Sequence, residues 1–368
     1  MSEKHNLKLS KNIAAAVALV LVLAVLAGVF VACDFGSTSL SGETRTVVDT
    51  AGRTVEVPAD PQMICTLSSF AGPLACLYGY ADIMMATCNN VLRSNFLKEL
   101  CPALKNAINV KDSGTMNAES ILALGVDLIF IDNTMYSDAD ERQKLKTMGI
   151  PYVVVDFTDM ESQMEAALVV GRALGCEEKA EAYVNYYKEA ISTVAATLAA
   201  NPDRKVYDVY HSVNEITRTD AAGSIGAEWT AAAGANNVSI DASLTVIGDK
   251  TSASVEQILA WDPEVIICNE AGVDDSIMAD SRFAGVDAVI NGKVYQIPVG
   301  VTRYGHPNSI ETPLAIYWLA KTLYPDYFDY TVEEKIKDFY LTFFGYEASD
   351  ETLQAIIAGD GIRTDKNK

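Results

Sequence analysis

Two stretches of this chain repeat one pattern 137 positions apart. "AESILALGVDLIF" runs from Ala118 to Phe130, and "VEQILAWDPEVII" from Val255 to Ile267. Glu119 matches Glu256, Ile121 matches Ile258, and Asp127 faces Glu264. The echo continues with "GIPYVVV" and "GKVYQIP", where Gly149 aligns with Gly292 and Tyr152 with Tyr295. Solenoid repeats recur every 20–50 residues or so, far closer than this. A long-period duplication of a helix, a strand and the next strand instead predicts two similar lobes. A chain of 368 residues agrees, because it is longer than one core comfortably supports.

Each lobe reads as strand alternating with helix. In the first, apolar runs at Met63–Leu67, Ile83–Thr87, Asp127–Ile131 and Tyr152–Val155 alternate with helical patterns at Gly72–Tyr78, Ala118–Leu124 and Ala139–Met148. In the second, "KVYDVYH", "EVIIC" and "KVYQIP" are the strands and "SVEQILAW" the clearest helix. Such alternation predicts parallel sheets covered on both faces. Between the lobes, Glu177–Ala200 contains neither Gly nor Pro, and as a helix it would span about 36 Å at 1.5 Å per residue. The expected fold is therefore α/β, with two Rossmann-like lobes joined by one long rigid helix and a helical C-terminus. The expected segments are an export signal (1–32), a tethering linker (33–45), the first lobe (46–158), the connecting helix (159–202), the second lobe (203–308) and C-terminal helices packed on the lobes (309–368).

Lys4, Lys8 and Lys11 precede twenty uncharged residues, Ile13–Ala32. That is the pattern of an export signal, although twenty apolar residues also suffice for a permanent membrane helix. The sequence "FVAC" followed by the polar run "DFGSTSLSGET" resembles a bacterial lipoprotein box, with Phe30 in place of the usual Leu. The resemblance implies acylation at Cys33 and a lipid-anchored protein outside the cytoplasm. The other cysteines, Cys65, Cys76, Cys88, Cys101, Cys176 and Cys268, read as small packing groups, since most lie in apolar runs and none forms a CxxC pair. A formal charge of −21 argues against nucleic acid, whose phosphates require clustered Lys and Arg.

Ligands of open α/β sheets bind beyond the carboxyl ends of the strands. In the first lobe this points to Ser68, Ser69 and Phe70, then Asn89, Asn90 and Arg93, Thr115 and Met116, and Asn133 and Tyr136. In the second it points to His211, Ser212, Asn269, Glu270 and the Gly/Pro loop "VTRYGHPNS", which carries Arg303, Tyr304 and His306. Imidazole and phenol suit metal complexes, and guanidinium suits anionic chelates. An exported hydrolase is the competing class. However, "AAGSIGA" around Ser224 has Ala222 where a nucleophile elbow needs Gly, and no HExxH occurs. No catalytic residue and no cofactor is expected.

From about Thr46 to Phe344 the chain resembles the substrate-binding proteins of bacterial ABC importers that carry iron–siderophore, heme, cobalamin and related metal complexes. The resemblance rests on "VVDTAGRTVEVPADPQMI", "NAESILALGVDLIF", the long mid-chain helix, "SVEQILAWDPEVII", "AVINGKVYQIP" and "ETPLAIYWLAKTLYPDYF", in that order. It implies a monomer that delivers a small metal chelate to a permease dimer in the membrane. An iron–siderophore leads as cargo, with heme, a corrinoid or a molybdate-type oxyanion behind it. It also implies that Glu119 and Glu256 dock against arginines on the two permease halves. Asn117 and Ser254 are N-cap residues that would place each carboxylate in a first helical turn. Acidic residues favour first turns for that reason alone, so the duplication is what lends them weight.

Overall fold

The computed structural model describes residues 42–248 and 250–359. The expected export signal, Cys33 and residues 360–368 lie outside these described residues. The chain opens with an antiparallel hairpin, β1 (Thr44–Val48) and β2 (Thr54–Pro58). Buried Asp49 organises its turn, accepting from the Ala51 and Arg53 amides at 3.1 and 3.0 Å. β1 begins two residues inside the segment expected to be linker. Arg45 is fixed there by the Ala59 carbonyl and lies 3.9 Å from Glu177.

The first sheet contains β3 (Ile64–Thr66), β4 (Met84–Thr87), β5 (Ile108–Asn109), β8 (Leu128–Ile131) and β9 (Tyr152–Val154). Its order is β5-β4-β3-β8-β9, and every pair is parallel. The second sheet contains β10 (Asp208–Ser212), β11 (Asn236–Asn237), β14 (Val265–Cys268) and β15 (Val294–Gln296), ordered β11-β10-β14-β15 and again parallel. Each strand order reverses once, between β3 and β8 and between β10 and β14. A short hairpin precedes the repeated helix in each lobe: β6 (Lys111–Asp112) with β7 (Thr115–Met116), and β12 (Thr245–Ile247) with β13 (Lys250–Ser252).

The duplicated sequence folds as a duplicated corner. Helices Ala118–Ala123 and Val255–Trp261 are capped by Asn117, which accepts from Ser120 N at 3.0 Å, and Ser254, which accepts from Gln257 N at 3.2 Å. Ile121 and Ile258 are wholly buried beneath them. The matched acids Asp127 and Glu264 do the same work in both lobes. Asp127 accepts from the Gln62 and Met63 amides at 2.7 and 3.1 Å, just ahead of β3. Glu264 accepts from Asp208 N at 3.2 Å, at the start of β10. Each carboxylate thus fixes where its central strand begins.

Successive strand residues point to opposite faces, which sorts the core into three parts. Ile64, Phe130, Val209 and Ile267 face one continuous apolar interior shared by both sheets. Cys65, Ile129 and Ile131 face a separate cluster on the far side of the first sheet. Tyr210, Ile266 and Cys268 do so on the second. The shared interior is filled by the strut helix Glu177–Ala200 and by C-terminal helices Thr312–Leu323, Val332–Phe344 and Asp350–Ile357. The connecting segment 159–202 folds as two helices, Met160–Leu174 and Glu177–Ala200, because Gly175 takes a left-handed φ of 73° between them. The two pack tightly: a Cβ on Gly171 would meet the Ala180 Cβ at 2.3 Å.

Candidate functional site

The points where the two strand orders reverse open on one cleft of about 430 Å³. The turn after β3 supplies Ser69, and the helical segment after β4 supplies Asn90 and Arg93. The loop after β10 supplies Asn214, Glu215 and Arg218, and the β12–β13 hairpin supplies Lys250. The stretch after β15 supplies Thr302, Arg303, His306 and Asn308. Among the described residues, four cationic side chains line the cleft, against one carboxylate in the lining, Glu215, and Glu270 paired behind Arg303. Two other concavities are as roomy but not as positive. Beside Glu119, Lys111 and Lys144 are neutralised by Asp132 and Glu141 at 2.7 and 2.6 Å. The concavity around Cys76 and Cys101 holds one lysine, Lys179.

The cleft residues are tied to their backbones. Arg93 ends the short helix Asn89–Leu92, and buried Ser94 caps the next, accepting from Leu97 N at 3.2 Å. Asn90 Nδ2 donates to Ser69 Oγ at 3.0 Å, joining two strand exits. In the second lobe Asn214 holds a left-handed φ of 69°, a conformation asparagine tolerates better than most residues. Its amide donates to Asn269 Oδ1 at 2.8 Å, and its own Oδ1 accepts from Arg303 at 2.6 Å. The β10, β14 and β15 exits thereby converge on one guanidinium.

The loop that carries Arg303 and His306 is held from below. Glu311 is fully buried and accepts from the Val301 and Thr302 amides at 2.9 and 2.6 Å, from Thr302 Oγ1 at 2.6 Å and from the Tyr340 hydroxyl. Burial raises its carboxyl above the ordinary value although all four donors pull the other way. Gln163, also fully buried, donates to the carbonyls of Pro307 and Ser309 at 3.0 and 3.4 Å. Trp229 Nε1 donates to Gly305 O at 3.0 Å, and a Cβ on Gly305 would meet the indole at 2.4 Å. Only glycine fits there, the more so at a φ of 67°.

The structure brings Ser69, Arg93, Arg303 and His306 together and leaves three sequence candidates out of the lining. Tyr304 is a correction: its side chain is wholly buried beside Tyr340 and Glu311, and burial pushes its phenol pKa up. His211 is another. It is buried with Nδ1 2.7 Å from Asp220 Oδ2, and its ring meets Trp229 edge-on at 5.4 Å, so it supports the loop from one layer behind. Tyr136 stands under the Arg53 guanidinium, 5.0 Å from its ring centre. Sequence reading passed over Asn214, Arg218 and Lys250. The Gly-Asp dipeptide at 248–249 of the sequence, between β-forming residues, was the available signal for the hairpin that carries Lys250.

The two matched glutamates, Glu119 and Glu256, are exposed in the first turns of their helices. Hydrogen bonding from its own helix-terminal amide and from Ser254 lowers the Glu256 carboxyl. Among the described residues no group of three or more His, Cys, Asp or Glu side chains converges as metal ligands.

With this geometry in view, comparison with known proteins places the chain. A family described as periplasmic binding protein matches residues 68–299, well over half of the sequence. The molybdate-binding protein MolA of Haemophilus influenzae is 27% identical over 351 residues, covering 87% of this chain and 96% of that one. A periplasmic solute-binding protein from Veillonella parvula superposes with a TM-score of 0.74 at 23% identity, covering 87% of this chain and 98% of that one. Helicobacter pylori CeuE, solved with Ni-His, does so at 0.68 and 18%, covering 86% and 99%.

Proposed function

Because the chain belongs to the periplasmic binding protein family, we propose that it captures an anionic metal chelate between its lobes and delivers it to an ABC permease. Proteins of this family work outside the cytoplasm as the solute-binding components of ABC transporters. The observation that carries the ligand reading is the gathering of Arg93, Arg218, Lys250 and Arg303 in one cleft of a protein whose formal charge is −21. Such a concentration of cations in an acidic molecule selects a negative ligand. Guanidinium, amide and hydroxyl donors then address its oxygen atoms. With no converging set of metal ligands among the described residues, a metal would be recognised through the shell of its chelator.

Size favours a chelate over a bare ion. A cleft of about 430 Å³ falls in the range of roughly 300–1,000 Å³ typical of sites for drug-sized ligands. The second reading is a tetrahedral oxyanion, favoured by the 27% identity with a protein named for molybdate. Calorimetric titration with an anionic ferric siderophore, hemin, cobalamin, Ni-histidine and molybdate separates the two. The proposal expects an anionic chelate to bind at about 1 μM or tighter, with Arg303→Ala weakening it at least ~10-fold. Binding of molybdate alone would establish the second reading, and binding only of uncharged solutes would defeat both.

Delivery follows from the twin corners. Glu119 and Glu256 offer one exposed carboxylate per lobe to a partner built of two similar halves, each presenting arginine. Export through residues 1–32 and acylation at Cys33 would hold this monomer at the membrane where that partner sits.

A further inference from the structure

The cations of the cleft are not held alike. Arg303 is committed within the protein, donating to Asn214 Oδ1 at 2.6 Å and pairing with Glu270. Arg218 and Lys250 form no ion pair with a carboxylate among the described residues. Asp220, two residues beyond Arg218, is already engaged by His211 and Asn237 at 2.7 and 3.0 Å. Glu215 lines the cleft near them, but what it gives Arg218 is its main-chain carbonyl, which accepts from the Arg218 amide at 3.2 Å.

Both residues sit on one antiparallel ribbon. β13 pairs along one edge with β12, where Ile247 faces Lys250 and Thr245 faces Ser252. Along its other edge it meets segment 217–219. Thr219 N donates to Thr251 O at 3.0 Å, Ala253 N donates to Thr217 O at 2.8 Å, and Arg218 stands opposite Ser252. Residues directly opposed in an antiparallel pair share a face, as do residues two apart along a strand. Arg218, Ser252 and Lys250 therefore project from the same side of the ribbon, and Arg218 and Lys250 both reach the cleft. They are diagonal neighbours, with backbone positions about 7–8 Å apart. The ribbon is rooted in the second sheet, since Val213 N, just past β10, donates to Arg218 O at 2.8 Å.

We propose that Arg218 and Lys250 form a paired cationic subsite that makes the cleft selective for metal chelates carrying several negative charges. The inference rests on the reading of the ligand as an anionic chelate and narrows it. Two like charges on one face of a ribbon repel each other. A chelate that presents a negative group to each relieves that repulsion and adds two attractions. A neutral chelate of the same size leaves the repulsion in place and strips water from both cations without return. The ladder on both edges of β13 keeps the two from moving apart. Arg303 acts differently, because Glu270 offsets its charge. It supplies hydrogen-bond geometry to any oxygen-rich ligand and is a positioning residue for the loop after β10. Charge selection thus falls to a ribbon, and orientation to the loop that carries Arg303.

The test is calorimetric titration of the full chain with a trianionic tris-catecholate ferric complex and a neutral tris-hydroxamate ferric complex. Wild type should favour the trianion at least ~100-fold. The double variant Arg218→Gln/Lys250→Gln should bind the trianion about 100-fold more weakly, shift the neutral complex less than ~3-fold, and flatten the salt dependence of trianion binding. The double variant Glu270→Gln/Arg303→Gln removes a pair without changing the net charge. It should weaken both complexes by a similar factor and keep their ratio. Lys250→Gln alone, on an exposed hairpin where folding is not at stake, should cost about 10-fold for the trianion. Trianion affinity that survives in the Arg218/Lys250 variants would overturn the subsite and leave capture of an anionic chelate standing. Failure of the trianion to bind wild type would defeat that reading, and this inference with it.

Discussion

Glu311 is the residue whose removal says most about how the binding loop is built. Replacing it with Ala deletes the acceptor of four hydrogen bonds. Thr302 Oγ1 keeps an alternative in Ser309 Oγ at 2.7 Å, so three donors are stranded: two backbone amides and the Tyr340 hydroxyl. A buried donor left without a partner costs about 1–3 kcal/mol. Against that, the variant no longer holds a desolvated carboxyl, which offsets part of the loss. The balance is a destabilisation of about 3 kcal/mol, or a fall of about 5 °C in thermal midpoint. Glu311→Gln keeps one acceptor and the side-chain volume, and should cost roughly half as much. Urea titrations followed by fluorescence measure both. The pH dependence supplies a second check. Because burial raises the folded carboxyl above its unfolded value, its proton favours the folded state. That contribution is complete below the unfolded pKa of about 4.3 and fades as pH rises through the raised folded value. Wild type should therefore lose stability relative to Glu311→Gln across that window. An Ala variant within about 0.5 kcal/mol of wild type, or a wild-type-to-Gln difference flat with pH, would refute the reasoning.

Replacing both Glu119 and Glu256 with Ala should reduce uptake by whole cells at least ~10-fold and leave the solute dissociation constant unchanged; weakened binding in the purified variant would count against a docking role. Gly171→Ala forces apart two helices that meet with a would-be Cβ separation of 2.3 Å, at a cost of about 1–3 kcal/mol in a thermal melt. An unshifted midpoint there would mean the helix pair yields without strain.

Much of the frame was legible because it rests on periodicity. The runs at Met63–Leu67, Ile83–Thr87 and Asp127–Ile131 contain β3, β4 and β8, and the repeat returns as matched corners. Strands of two residues, β5 and β11, carry no such pattern and exist through pairing with β4 and β10. The site was legible by address and not by orientation. "VTRYGHPNS" does border the cleft, but within it Arg303 and His306 line the open space while Tyr304 turns into the core. Sequence adjacency cannot separate neighbours that face opposite ways. His211 failed for the same reason, since it shares β10 with Tyr210 but meets Trp229 on the other face. Arg218 and Lys250 were missed because a loop and a hairpin, whose paths depend on tertiary packing, bring them in.

The continuity of the core bears on how such a molecule grips its cargo. Ile64 and Phe130 on one sheet and Val209 and Ile267 on the other belong to a single interior, which runs through Tyr183, Val194 and Leu198 of the strut. Tyr183 is further tied to the Ile310 carbonyl at 3.0 Å, and Tyr187 to Gln163 at 2.9 Å. A wide rotation of one lobe against the other would have to shear this close-packed volume, and interiors of that kind resist deformation. A flexible two-strand crossover would oppose no such motion. On the proposed reading, capture falls to the side chains and loops at the strand exits. Among these, the loop that carries Arg303 is itself anchored through Glu311 and Gln163 to the same interior. The strut also sets the spacing of the two acidic corners, so a partner that reads Glu119 and Glu256 together meets nearly the same pair of charges whether or not the cleft is filled.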